Sequence, residues 1–150
     1  MANGKVKLHG PEAFEGMRAA GRLAAEVLDM ITPHVVPGVT TGELDRLCDE
    51  YIRDHNSISA CLNYRGFPKS ICTSINHVVC HGIPGDKKLQ NGDIMNIDVT
   101  VIVDGWYGDT SRMYIAGTPK VMAQRLVDVT YEALWRGINA VKPGATLGDI

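Results

Sequence analysis

Two aspartates, Asp98 and Asp109, have the residue type and spacing that could do chemistry in this chain. They lie in "NIDVTVIVDGWYGDTSRMYI", residues 96–115, where β-branched runs predict two strands and Asp104-Gly105 predicts the two-residue turn between them. That turn sets Asp98 against Ser111 and Thr100 against Asp109. The two acids become diagonal neighbours on one ribbon face, roughly 7 Å apart at Cα. A loop of odd length would send them to opposite faces, and spacing alone also suits an ordinary polar pair on an exposed edge.

Carboxylates this close repel, so a partly buried pair calls for a shared proton, a basic partner or a metal ion. Arg112 is the nearest base in sequence, but its parity places it on the other face, and Lys88 precedes the strand. A shared cation fits better. Oxygen donors suit Mn²⁺, Fe²⁺, Co²⁺ or Zn²⁺, and carboxylates bridging ions about 3.5–4 Å apart frame two-metal hydrolases.

A second stretch, "SICTSINHVVCHGIPG", predicts two more short strands turning at Asn76-His77, which would set Cys72 against His81. Cysteine facing histidine is the start of a thiol nucleophile with its base. No third residue orients that imidazole, however, and Cys72 has apolar neighbours instead of a helix N-terminus. His81 is better suited to move a proton beside the acids, although a hydrogen-bonded histidine at a strand end would look the same. His9, His34 and His55 have no partners at ligand spacing, His77 is expected to be exposed, and the cysteines do not form a zinc knuckle.

The elements that must position these groups follow from periodicity. Residues 11–32 predict an amphipathic helix with Pro11 in its first turn, ending before Pro33 and presenting Phe14, Met17, Gly21, Ala24, Leu28 and Ile31. After a Pro37-Gly38 turn, Thr40 or Thr41 caps a shorter helix with Leu44, Leu47, Cys48 and Tyr51 on one face. From Ser59 to Gly117 the pattern is antiparallel strands. Helical spacing returns after Pro119 through Val121, Leu126, Val129, Ala133 and Leu134 and stops near Pro143-Gly144. This order is α+β. "PGVTTGEL" at 37–44 recurs as "PGATLGDI" at 143–150, which reads either as a common helix-start signal or as an internal duplication cut off early in its second copy.

Composition narrows the function classes. The 150 residues are 45% hydrophobic and 21% charged, enough for one real core. A net charge of −2 with interspersed signs leaves no electrostatic footprint for nucleic acid or an anionic membrane. No apolar run is long enough for a membrane helix, and "MANGKVKLHG" lacks a signal-like core, so a cytoplasmic location and four free thiols are expected.

The stretch "NYRGFPKSICTSINHVVCHGIPGDKKLQNGDIMNIDVTVIVDGWYGDTSRMYIAG" resembles type I methionine aminopeptidases, as do "MRAAGRLAAEVLDMI" and "VPGVTTGELDRLC" before it. "CHGIP", "NIDVTV" and "GDTSRM" occur in order at that family's spacing, and the likeness covers essentially the whole chain. It implies a pita-bread fold: two pseudo-symmetric α/β halves around a curved antiparallel sheet with helices on its outer face. Residues 1–150 would be a single domain, the first half plus the start of the second.

The resemblance also implies residue roles. Asp98 would bind one divalent ion (Co, Mn, Fe or Zn), Asp109 would bridge two, and Asn96 and Thr100 would support them from behind. His81 would contact the scissile peptide and assist proton transfer. Tyr64, Phe67 and Cys72 would line the methionine pocket, with Phe67 standing where relatives often have Tyr. Asn76 and Val78 would hold a sodium or potassium ion through backbone oxygens. The implied activity is metal-assisted removal of the initiator methionine from nascent polypeptides, in a monomer working near the ribosomal exit tunnel.

That family completes its metal site with one histidine and two glutamates from the second half, which lie beyond Ile150, so weak metal binding and little activity are expected of these residues alone. A catalytically silent pita-bread relative that binds polypeptide or a ribosomal surface is the alternative. "CHGIP" points away from the creatinase and prolidase branch of the same fold.

Overall fold

The computed structural model describes residues 7–150, so the reading of "MANGKV" as part of a signal-free start lies outside the described residues. Helix α1 spans Pro11–Ile31 with the proline in its first turn, where its missing N–H costs nothing. Helix α2 spans Thr41–Asp54, and its cap is Thr40, whose hydroxyl accepts from the Glu43 amide at 3.1 Å. Gly38, at φ 94°, makes the turn between them.

Four strands form one antiparallel sheet: β1 (Ile58–Ser59), β2 (Cys72–Ile75), β3 (Ile94–Val103) and β4 (Trp106–Ile115). The β3–β4 hairpin turns through Asp104 and Gly105, both at positive φ (48° and 83°), as a two-residue hairpin turn requires. Its register pairs Asp98 with Ser111 and Thr100 with Asp109, as the turn predicts. β4 pairs along the whole of β3. β1 and β2 therefore share the opposite edge of β3, with Ile58 opposite Ile102 and Cys72 opposite Asp98.

One face of the sheet packs on α1 and α2. Ile97, Val99 and Val101 of β3 join Ala24, Val27, Leu28, Ile31, Leu44, Cys48 and Ile52 in a continuous apolar core. Alternation along β3 therefore turns Asn96, Asp98, Thr100 and Ile102 to the opposite, less covered face.

Two expectations need correction. In α1, Phe14 and Met17 are about half exposed (53% and 48%), and Ala13, Ala20 and Val27 carry the buried face instead. The helix comes closest to the sheet at Ala20, where a Cβ on Gly108 of β4 would lie 2.2 Å from the Ala20 carbonyl oxygen, so small residues are needed at that crossing. The second predicted hairpin does not form. β2 pairs with β3, residues 78–84 have no strand structure, and the partner facing Cys72 is Asp98 rather than His81. Cross-sheet pairing in the core outweighed the local turn signal at Asn76-His77.

Helix α3 (Val121–Ala140) follows the sheet and has no buried residue. The repeated segment behaves alike in both copies. Gly38 and Gly144 share positive φ (94° and 88°), and Thr40 and Thr146 each cap the turn that follows. Among the described residues no helix is long and apolar enough to cross a membrane.

Candidate metal centre

The hairpin brings Asp98 and Asp109 together as diagonal neighbours on the less covered face, where the charge of one acts on the other. Burial is the largest influence on Asp98 and pushes its carboxyl above the ordinary range. The charge of Asp109 adds to this, and that of His81 opposes it. Arg112 gives no relief, because it lies on the other face and pairs with Asp29 of α1 at 2.7 Å. Two neighbouring carboxyls with no Lys or Arg beside them among the described residues are a donor set suited to a hard or borderline cation. Among the described residues no third His, Cys, Asp or Glu joins them in a metal-holding group, so they supply part of a coordination sphere.

Beside the pair opens a cavity of about 540 Å³ lined by Tyr64, Phe67, Cys72 and His81, together with Cys61, Arg65, Gly66, Pro68 and Ile83. Four residues predicted to act on substrate thus share one recess. His81 has φ 52°, and Gly82 after it lies hard against β2: a Cβ there would meet the Thr73 carbonyl at 2.1 Å. The Thr73 amide donates to the Gly82 carbonyl at 2.8 Å, and this fixes the segment that carries His81. Thr100 stands opposite Asp109, and Asn96 lies on the same face opposite Met113. Asn76 bonds Asp93 and the Ile94 amide through its side chain at 2.8 and 3.1 Å, holding the β2 turn against the start of β3, with Val78 in the irregular segment beyond.

The description Metallopeptidase family M24 matches residues 15–150. The chain belongs to that family. Methionine aminopeptidase from Rickettsia prowazekii is 65% identical over 145 residues, covering 97% of this chain and 56% of the relative. The same-named enzyme of Escherichia coli K12 is 58% identical over 147 residues, with the same coverage. The crystal structure of the Rickettsia prowazekii enzyme superposes with a TM-score of 0.94 at 64% identity, covering 96% of this chain and 58% of that one. The chain thus spans about half the length of the curated relatives it matches, and its fold is the corresponding part of the M24 pita-bread architecture.

Sequence reasoning missed two contributors to this candidate site. Cys61 lines the cavity, and its thiol is drawn down to about 7, first by a hydrogen bond with the Cys72 thiol, while Cys72 is pushed up. Asp45 of α2 is buried, and its carboxylate accepts from the Ser70 and Ile71 amides at 2.8 and 3.1 Å, tying the cavity loop to the helix just before β2. An acid inside the apolar stripe of a helix was the available signal for Asp45. Nothing local marked Cys61.

Proposed function

We propose that the intact protein is a methionine aminopeptidase that hydrolyses the first peptide bond of polypeptides beginning with methionine. The observation that carries this reading is the pair of neighbouring carboxyls, Asp98 and Asp109, beside a mainly apolar recess that also holds His81. The two aspartates would hold divalent ions, Asp98 one and Asp109 both. When bound, such ions lower the pKa of water toward about 7 and polarise a peptide carbonyl. Tyr64, Phe67 and Cys72 receive the methionine side chain, for which an apolar and polarizable wall is the right surface. His81 at the rim holds or delivers the proton at the scissile amide. Thr100 and Asn96 steady the aspartates, and the backbone oxygens of Asn76 and Val78 take a sodium or potassium ion.

The ions are cobalt, manganese, iron or zinc. A monomer in the cytoplasm, acting on nascent chains at the ribosome, fits this chemistry. The test is release of methionine from Met-Gly-Met by the intact protein supplied with Mn²⁺ or Co²⁺. Asp109→Asn is expected to lower the rate by about 100-fold or more. Metal uptake without any cleavage would replace this reading with that of a polypeptide-binding module, and no uptake at all would remove both ions from the account.

A further inference from the structure

Cys61 and Cys72 are the two thiols of the cavity wall, and the proposed hydrolysis uses neither as a nucleophile. They occupy neighbouring stations on one edge of β3: the Ala60 amide donates to the Thr100 carbonyl at 2.9 Å, and Cys72 lies opposite Asp98. Strand rise is about 3.3 Å per residue, so neighbouring stations along β3 lie closer than the upper limit of roughly 6.8 Å that a disulfide spans between Cα atoms. Both thiols line the same recess, each perturbs the ionisation of the other, and both cysteines are free. The intervening loop, 62–71, carries Tyr64, Phe67 and Pro68, one wall of the recess. The two sulfurs therefore sit at the base of that wall.

We propose that Cys61 and Cys72 are a hydroperoxide-responsive pair whose disulfide staples the cavity loop at its base. Cys61 is partly exposed and Cys72 is 5% exposed, so the roles divide. The Cys61 sulfur attacks the terminal oxygen of a hydroperoxide; the O–O bond breaks, an alcohol (water, for hydrogen peroxide) leaves and a sulfenic acid remains. The Cys72 sulfur then attacks the Cys61 sulfur, the S–S bond forms, and the hydroxyl departs as water with the Cys72 proton. Two thiols are oxidised and one peroxide bond is reduced. This inference stands on the cavity geometry and does not depend on peptide hydrolysis.

The experiment treats the intact protein with stoichiometric hydrogen peroxide, alkylates the remaining thiols and maps peptides by mass. An internally linked Cys61–Cys72 peptide is expected, with Cys48 still alkylatable only after unfolding and Cys80 dispensable, so that Cys80→Ser leaves the link intact. Cys72→Ser is expected to stop at a Cys61 sulfenic acid that dimedone traps. Amide exchange across 62–71 should slow at least 10-fold on oxidation and recover with dithiothreitol. A link through Cys80, a link between chains, or full alkylation of Cys61 and Cys72 under a dose that oxidises Cys80 overturns the proposal. So does unchanged exchange in the loop of a linked sample.

Discussion

Asp98 is costly to the fold that holds it. Its carboxyl is pushed upward mainly by burial and then by Asp109, so the neutral form is favoured in the folded state. A carboxyl whose folded pKa is raised gives its full stability below its unfolded pKa and loses it as pH rises through the folded value. In metal-free protein at pH 7, Asp98→Asn is therefore expected to raise the thermal midpoint by about 2–4 °C, the response to roughly 1 kcal/mol at this chain length. The same variant should bind divalent ions more weakly by calorimetry. A lower midpoint would show that the carboxylate has a partner stronger than its repulsion. This residue was legible in the sequence because an acid stood alone in an apolar strand. Cys61 was not, because its neighbours come from elsewhere in the chain.

At the scale of elements, the contact between α1 and β4 governs the site. Gly108→Ala would drive a methyl into the Ala20 backbone, which a helix cannot yield cheaply, and a loss of about 2–3 kcal/mol in urea unfolding is expected. Tyr114 of β4 fastens the same interface by donating to the Leu28 carbonyl at 2.6 Å, so Tyr114→Phe should cost about 1 kcal/mol. Burial pushes Tyr114 from 10.0 to about 12, and pushes Cys48 of α2 from 9.0 to about 12. Both are neutral when folded, so their contribution is complete below the ordinary values and is lost as pH rises toward about 12. Unfolding free energy should fall across pH 9–12, and less steeply in Tyr114→Phe; an equal slope in that variant would rule tyrosine out as a cause. The hairpin register could be read because Asp104-Gly105 encodes it locally. The partner of β2 could not, since "SICTS" and "VVCHG" satisfy the same local rules and only long-range packing chooses between them.

For the molecule as a whole, the strongest feature is helix α3, which buries none of its residues against the rest of the described chain. Along α3, Val121, Met122, Leu126, Val129, Leu134 and Ile138 are 46% exposed or more, an apolar surface larger than scattered residues would make. These 150 residues alone should bind a hydrophobic dye and sediment with concentration-dependent mass. Leu126→Glu should reduce both while changing stability by no more than about 0.5 kcal/mol. An unchanged dye signal would place the sticky surface elsewhere, for example on the open sheet face near Ile58 and Tyr107.

The order of folding events follows from the β3–β4 hairpin. Its two strands are joined by the shortest of turns, so they zip together on a timescale of about 1–10 μs, whereas β1 and β2 must close longer loops before they find β3. The acid pair therefore assembles early in the folding trajectory, and the recess beside it is completed late.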